Sequence, residues 1–378
     1  MIKINIKTNH LWKKYKQDNL SIWVKGYIYN YSIQKIISIC KVIKKENILS
    51  FVTSIDGHFA LLVQRDDPTF IAVDKIRSIP LFFIKIKSDF YIDYDPKNLV
   101  YFNEFDKEID ENAKLEIFMS GFTIGSKTIY KNLYSLKAGE IVLFQKNKYE
   151  FNQYYKYFGE IVDKNFDEYL EELSEITLNI FRKMLTQIGD RQIIIPLSAG
   201  NDSRLVASIL KHLGATNVKC YSYGTEGNFE AKIAKQIASK LGFEWKFIPL
   251  THKSEKKYYK SDEFKKYLDY CETYSSVPQF QSLSTIKYLK DLKWIENDAI
   301  FVNGISGDFI SGGHINVKKE DGFIKNNNNN KRKKNILNQL IEKHFSLWGY
   351  LKNENNLNKI KIIYFMSIQN LMTDKASM

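Results

Sequence analysis

Apolar residues change their spacing once along this chain, near residue 165, and the change divides it. Before it they come in short runs: Ser21-Ile22-Trp23-Val24, Phe59-Ala60-Leu61-Leu62-Val63, Phe70-Ile71-Ala72-Val73, Leu81-Phe82-Phe83-Ile84, Phe90-Tyr91-Ile92 and Ile141-Val142-Leu143-Phe144. These have the length and the β-branched and aromatic content of strands. Turn signals punctuate them, among them Asp56-Gly57, Asp66-Asp67-Pro68, Asp95-Pro96 and Lys137-Ala138-Gly139-Glu140. The first half is therefore expected to be a layered sheet domain with few helices. Nothing in it has the spacing of metal ligands or of a nucleophile and its base.

From Asp167 to Gln187 the period becomes helical, with Leu170, Leu173, Ile180, Phe181, Met184 and Ile188 recurring between charged residues. The run Gln192-Ile193-Ile194-Ile195-Pro196-Leu197 is uninterruptedly apolar, as in a strand buried on both faces of a parallel sheet. A helix is expected from Arg204 to about Leu213, stopped by Gly214, then a strand Val218–Ser222, a helix Phe229–Leu241 stopped by Gly242, and a strand Glu244–Ile248. Alternation of this kind builds a parallel sheet covered by helices. Ligands of such sheets sit at the carboxyl ends of the strands. Three segments fall there: Ser198–Ser203, Ser222–Gly227 and Asn303–Gly313.

Composition narrows the class. The chain has 378 residues, 44% hydrophobic and 26% charged, which suits a folded protein with two cores. Cys40, Cys220 and Cys271 are too few and scattered for a disulfide framework or a zinc site, and they read as reduced thiols. No apolar secretory segment stands at the N-terminus, and no apolar run approaches the ~20 residues of a membrane span. A cytoplasmic location without a membrane partner is the expectation. The net charge of +13 comes from a general excess of lysine, with arginine scarce, so a nucleic-acid partner is not expected. A basic, asparagine-rich stretch from Lys325 to Asn335 is expected to be a solvated loop.

The loop Leu197-Ser198-Ala199-Gly200-Asn201-Asp202-Ser203-Arg204 turns sharply from strand to helix. Small residues at Ser198, Ala199 and Gly200 let backbone N–H groups converge on an anion, and the helix N-terminus adds partial positive charge. The hydroxyls of Ser198 and Ser203 suit phosphate oxygens. Asp202 suits Mg2+ beside a pyrophosphate leaving group. Read alone, Asp202 or Ser203 could equally be a helix cap. The glycine-rich segment Asn303-Gly304-Ile305-Ser306-Gly307-Asp308, after the apolar run Ala299–Val302, offers a second acid, Asp308, that could serve the same ion or, equally, cap a turn. His314 reads as a structural histidine.

These segments resemble those of the asparagine synthetase family, which includes β-lactam synthetases and lasso-peptide cyclases. Leu197–Ser203 resembles that family's S-G-G-x-D-S, with Ala199 at one glycine; Tyr221–Gly227 and Asn303–Gly313 are similar to its next two site segments. In the first half, Gly26-Tyr27-Ile28-Tyr29-Asn30, Asp56-Gly57-His58-Phe59-Ala60, Pro80-Leu81-Phe82-Phe83, Thr128-Ile129-Tyr130 and Leu136-Lys137-Ala138-Gly139 stand in the family's order. The resemblance implies an α+β, Ntn-hydrolase-like amidotransferase domain over 1–160. An α/β PP-loop domain of the adenine nucleotide alpha hydrolase type, with a parallel sheet, would follow over 161–378. It implies ATP and Mg2+ as cofactors. ATP would be held by Leu197, Ser198, Ala199, Gly200, Asp202, Ser203, Ser222, Gly224, Asn303 and Gly304, and the metal by Asp202 and Asp308. A small-molecule carboxylate would be adenylated and then attacked by ammonia or an amine. A homodimer is an assembly the resemblance admits.

Departures from the family qualify that reading. Ile2 stands where glutamine-using members carry their nucleophilic cysteine, and Lys25-Gly26-Tyr27 replaces their Asn-Gly-Glu. The resemblance thus implies a domain without glutaminase activity. Ile305 stands where the synthetases carry an acid. Asp374-Lys375-Ala376-Ser377-Met378 resembles the family's D-R-x-S-M, beyond which members continue, so the second domain is expected to be C-terminally incomplete. The loop variants are similar to those of family members linked to surface polysaccharide pathways, which implies a sugar acid as carboxylate. A catalytically impaired nucleotide-binding or scaffolding homologue is the alternative.

Overall fold

The computed structural model describes residues 2–4, 6, 8, 11–145, 148–157, 162–311 and 329–373. The chain divides into two compact units, one of Met1–Glu160, Cys271–Pro278 and Asn327–Met378, the other of Ile161–Tyr270 and Gln279–Asn326.

The first unit contains two sheets. Strands β1 (Ile2–Ile4), β2 (Lys13–Gln17), β3 (Leu20–Ile28), β4 (Gly57–Gln64), β5 (Thr69–Val73), β6 (Phe82–Ile86), β7 (Asp89–Asp93), β8 (Leu133–Ser135), β9 (Glu140–Gln145) and β10 (Lys148–Gln153) follow in chain order. They form a four-stranded sheet, β1-β7-β6-β8, and a six-stranded sheet, β10-β9-β5-β4-β3-β2. The apolar runs are continuous because both faces of the larger sheet are covered. Along β4, β5 and β9 one set of alternate residues, Phe59, Leu61, Val63, Phe70, Ala72, Ile141 and Leu143, packs under the helices Ile33–Val42 and Lys45–Ser54. The opposite set, Ala60, Leu62, Ile71, Val73, Val142 and Phe144, meets Phe83, Phe90 and Ile92 of the smaller sheet. The period of two thus splits one run between two cores.

Both helices over the large sheet, and Glu111–Ser120, exceed the few helices expected here. Their signals are local. Ser32 accepts the N–H of Lys35 as a cap, and Ile36 and Cys40 sit four residues apart on the buried face. Asp95-Pro96, expected as a turn, starts the short helix Pro96–Val100, with Asp95 accepting the N–H of Lys97. The sequence places everything after residue 160 in the second domain, whereas Cys271–Pro278 and Asn327–Met378 pack with the first unit. The cause is specific pairing: Thr123 N–H donates to Ser275 O, Ile129 N–H to Tyr274 O, and Met119 shares a core with Ile341, Phe345 and Ile360. The basic stretch expected as a loop is helical from Asn329, within Asn329–His344; residues 325–328 lie outside the described set.

The second unit holds a parallel four-stranded sheet of β11 (Ile193–Pro196), β12 (Val218–Gly224), β13 (Glu244–Pro249) and β14 (Ile300–Phe301), in the order β13-β12-β11-β14. One face packs Ile193, Ile195 and Cys220 against Val206, Ala207 and Leu210 of the helix Asn201–His212 and Ala234 and Ala238 of the helix Phe229–Leu241. The other face packs Ile194, Tyr221 and Ile248 against Leu289, Trp294 and Ile295. Helices therefore lie on both faces, as the β-α-β-α-β pattern predicts. Among the described residues, no helix is long and apolar enough to cross a membrane.

Candidate active site

The candidate site is built at the carboxyl edge of the parallel sheet, because three neighbouring strands end there. β14 pairs with β11 through Ile193–Ile300 and Ile194–Phe301, and Val302 N–H donates to Ile194 O at 3.0 Å. β12 flanks β11 on the other side, with Leu197 N–H donating to Tyr221 O at 2.8 Å. Parallel neighbours end on the same side, so the segments after Pro196, Gly224 and Phe301 converge.

The first segment is a tight, self-bonded loop. Gly200 caps the helix Asn201–His212, which starts three residues before the expected Arg204. Ser203 is buried; its Oγ accepts the N–H of Ser198 at 3.1 Å and lies 3.1 Å from Ser198 Oγ. Ser198 Oγ in turn accepts the N–H of Gly200 at 3.1 Å. Arg204 Nη2 donates to Ala199 O at 2.9 Å. The hydroxyls expected to face phosphate thus also brace the loop that would receive it.

Ser222 ties the second strand end to the first. Its Oγ donates to Leu197 O at 2.6 Å and accepts from Trp245 Nε1 at 3.0 Å. The donor and one acceptor site of this hydroxyl are therefore taken up inside the protein, and Ser222 acts as a clamp between β11 and β12. Gly224 ends β12 at φ +140°, and a side chain there would meet Asn228 Nδ2 at 2.7 Å. Burial pushes the phenol of Tyr221 up, as it does that of Tyr223, to which the Glu255 carboxylate adds. Burial also pushes the Cys220 thiol up to about 12.

The third segment closes on Asp202. A Cβ on Gly304 would lie 2.8 Å from Asp202 C and Ser203 N; one on Gly307 would lie 2.2 Å from Asp202 Cγ and 2.3 Å from its Oδ1. Asn303 Oδ1 accepts the N–H of Ile305, and Gly307 N–H donates to Gly304 O, fixing the turn that carries the glycines in. Asp308 follows Gly307 directly and is exposed, in the short helix Gly307–Ile310. Among the described residues there is no group of three His, Cys, Asp or Glu side chains able to hold a metal by themselves. Gly312, Gly313 and His314 lie outside the described residues.

Gly307 and Trp245 were not singled out by the sequence. Asp74 in the first unit was also missed: it is buried, and its carboxylate accepts the N–H groups of Phe59, Ile76 and Ser78. In the same unit Lys25 stands on β3 with its ammonium pushed down by burial. Gly26 beside it adopts φ +97°, because a Cβ there would fall 2.0 Å from His58 O.

Comparison with known proteins finds two families in succession along the chain. Residues 39–155 match the glutamine amidotransferase domain family, and residues 183–366 match the asparagine synthase family. The chain is 32% identical over 106 residues to a probable glutamine-hydrolyzing asparagine synthetase of Acanthamoeba polyphaga mimivirus, covering 28% of this chain and 19% of that protein. The match thus spans about a fifth of the curated relative's length. Among solved structures, an NH3-dependent NAD synthetase from Campylobacter jejuni aligns at 16% identity and TM-score 0.27, over 38% of this chain and 59% of that one. A glutamine phosphoribosylpyrophosphate amidotransferase from B. subtilis aligns at 9% identity and TM-score 0.25, over 61% and 46%. With an amidotransferase match followed by an asparagine synthase match along one sequence, the chain belongs to the asparagine synthetase family.

Proposed function

We propose that this protein is an ATP-dependent amide-forming ligase that adenylates a carboxylate and passes it to ammonia or an amine. The observation that carries the reading is the approach of Gly304 and Gly307 to Asp202, which gathers two motif segments around one carboxylate. The backbone of Ser198–Gly200 and the hydroxyls of Ser198 and Ser203 would bind the pyrophosphate portion of ATP. Leu197, Gly224, Asn303 and Gly304 would lie along the nucleotide, with Ser222 holding two of their strands in register. Asp202 and Asp308 would hold Mg2+, which neutralises phosphate charge. The substrate carboxylate oxygen attacks the α-phosphorus, the bond to the bridging oxygen breaks, and pyrophosphate leaves with the electron pair. The amine nitrogen, arriving neutral, then attacks the acyl carbon, AMP leaves with the electron pair of the broken bond, and the nitrogen releases a proton to solvent. The residues act by positioning and by charge.

Glutamine is not the proposed nitrogen source, because a half-buried lysine, Lys25, replaces the asparagine of the family's glutamine-holding segment. A sugar acid of a surface polysaccharide pathway is the proposed carboxylate class, supported by the Asp202-Ser203-Arg204 and Ser306-Gly307-Asp308 variants. A second reading, a nucleotide-binding homologue without turnover, is favoured by Ile305, 73% exposed where the family's acid is expected. ATP–pyrophosphate exchange, screened across carboxylates, separates the two. Ligase activity predicts carboxylate-dependent exchange that Asp202→Ala abolishes. Exchange at the wild-type rate in Asp202→Ala would remove the role given to Asp202. ATP binding without exchange for any carboxylate would favour the second reading.

A further inference from the structure

The helix Phe166–Ile188 buries only its C-terminal end, where Phe181, Met184, Leu185 and Ile188 pack into the core of the parallel sheet. Before that end, Phe166, Tyr169, Leu173, Ile176 and Ile180 recur at alternating intervals of three and four residues, the narrow seam of a two-helix coiled coil. Each is between 43% and 77% exposed, and none joins a core cluster of the described residues. A contiguous apolar stripe left open to water marks a surface that another chain covers. The stripe lies between the two family matches, residues 39–155 and 183–366, so neither family accounts for it.

The charges along the helix select the occupant. Its N-terminal half carries Asp167, Glu168, Glu171, Glu172 and Glu175, and beyond them it carries Arg182 and Lys183 and no acid. A second copy laid antiparallel sets Leu173 beside Ile176 and Tyr169 beside Ile180, so the seam continues without a break. Phe166 then meets Lys183, whose aliphatic stem covers the ring while its ammonium reaches Asp167 and Glu168 of the second copy. A parallel pair would instead stack the acidic halves on each other. We propose that the helix Phe166–Ile188 is a dimerisation element, paired antiparallel with its own copy about a two-fold axis between Leu173 and Ile176. The inference is independent of the reaction proposed above.

The seam runs about 26 Å from Phe166 to Lys183. That places it at the small end of specific interfaces, with a dissociation constant expected at roughly 1–100 μM. Sedimentation velocity of the full chain across that range should show reversible dimers. Leu173→Glu combined with Ile180→Glu should raise the dissociation constant by about 100-fold or more, with an unchanged circular dichroism spectrum because both side chains are exposed in the monomer. Oxidative cross-linking on a Cys271→Ser background reads the orientation. Tyr169 and Ile180 lie about 16 Å apart along one helix, so only an antiparallel pair brings them together. Tyr169→Cys and Ile180→Cys chains should therefore cross-link when mixed, and neither variant by itself. A chain that stays monomeric at the highest concentration would overturn the inference and leave the stripe to a different protein. A dimer untouched by the double glutamate variant would overturn it by placing self-association elsewhere. Cross-links within each variant alone, or none in the mixture, would overturn the antiparallel register.

Discussion

Gly307 lies against the carboxylate of Asp202 so closely that a Cβ at position 307 would fall 2.2 Å from Asp202 Cγ. The contact follows from the sheet: β14 is the parallel neighbour of β11, and their following segments meet edge to edge. Gly307→Ala should therefore displace Asp202 or the turn Gly304–Gly307. The expected cost is about 1–3 kcal/mol of stability, the range for forcing a methylene into a packed contact. ATP affinity should fall with it. Gly349→Ala is the control, because a Cβ there meets nothing within 4 Å. Thermal melts with and without ATP compare the two. Equal ATP-induced stabilisation of Gly307→Ala and wild type would mean that this contact does not shape the nucleotide site.

Ser222→Ala removes a hydroxyl that donates to Leu197 O and accepts from Trp245 Nε1. The indole N–H is then left without its partner, at a cost of about 1–3 kcal/mol. Because the clamp fixes the strand end that feeds the loop, ATP binding should weaken although Ser222 itself is spent on protein contacts. Denaturant titration gives the first quantity and calorimetry the second. A variant that loses stability but keeps full ATP affinity would make the clamp purely structural.

The sequence made the parallel sheet and its loops legible because each strand there is a run of one kind, closed by a glycine or a small-residue loop, such as Ile193–Pro196 before Ser198-Ala199-Gly200. Asp202, Asp308 and Gly304 were legible as residue types after strand ends. Gly307 was not, since its role is a distance to a side chain about a hundred residues earlier, and spacing along the chain carries no such information. Trp245 was missed for the same reason. In the first unit, β4, β5 and β9 were visible as apolar runs, but the sharing of their faces between two cores depended on knowing what covers each face. The helices Ile33–Val42 and Lys45–Ser54 were not anticipated, because what marks the first is local, the cap at Ser32 and the buried pair Ile36 and Cys40, and neither is long enough to show a sustained helical period. The packing of Cys271–Pro278 with the first unit rests on long-range backbone pairing, such as Phe122 with Ser276, which leaves no local mark.

The three thiols should separate by reactivity. Cys40 and Cys220 are buried, and burial pushes both up to about 12, so neither supplies thiolate near neutral pH. Cys271 is part-exposed. Ellman's reagent on the native chain should modify one thiol at Cys271 and reach the other two only in denaturant. Rapid native modification of Cys220 would show that the core of β11 and β12 opens far more readily than its packing implies.

Asp93 sets a pH dependence for the first unit. It ends β7 with no exposed surface; its Oδ1 accepts the N–H of Asp95 at 3.0 Å and its Oδ2 the Nδ2 of Asn98 at 2.9 Å. Burial outweighs these bonds, and the nearby Asp95 carboxylate adds to it, so the carboxyl is pushed up from 3.8 to about 6. Between those values the folded chain binds more protons at this site than the unfolded chain. Stability from this group is therefore complete below about 4 and is lost as pH rises through about 6. The loss is on the order of 3 kcal/mol by the linkage relation. Asp93→Asn keeps an acceptor for Asp95 N–H and cannot ionise, so its stability should lack that fall. The difference in unfolding free energy between wild type and Asp93→Asn, measured from pH 4 to pH 7.5, should shift in favour of the variant as pH rises. A difference that stays flat across this range would mean that Asp93 carries its charge at no cost, and that the bonds from Asp95 and Asn98 fully offset its burial.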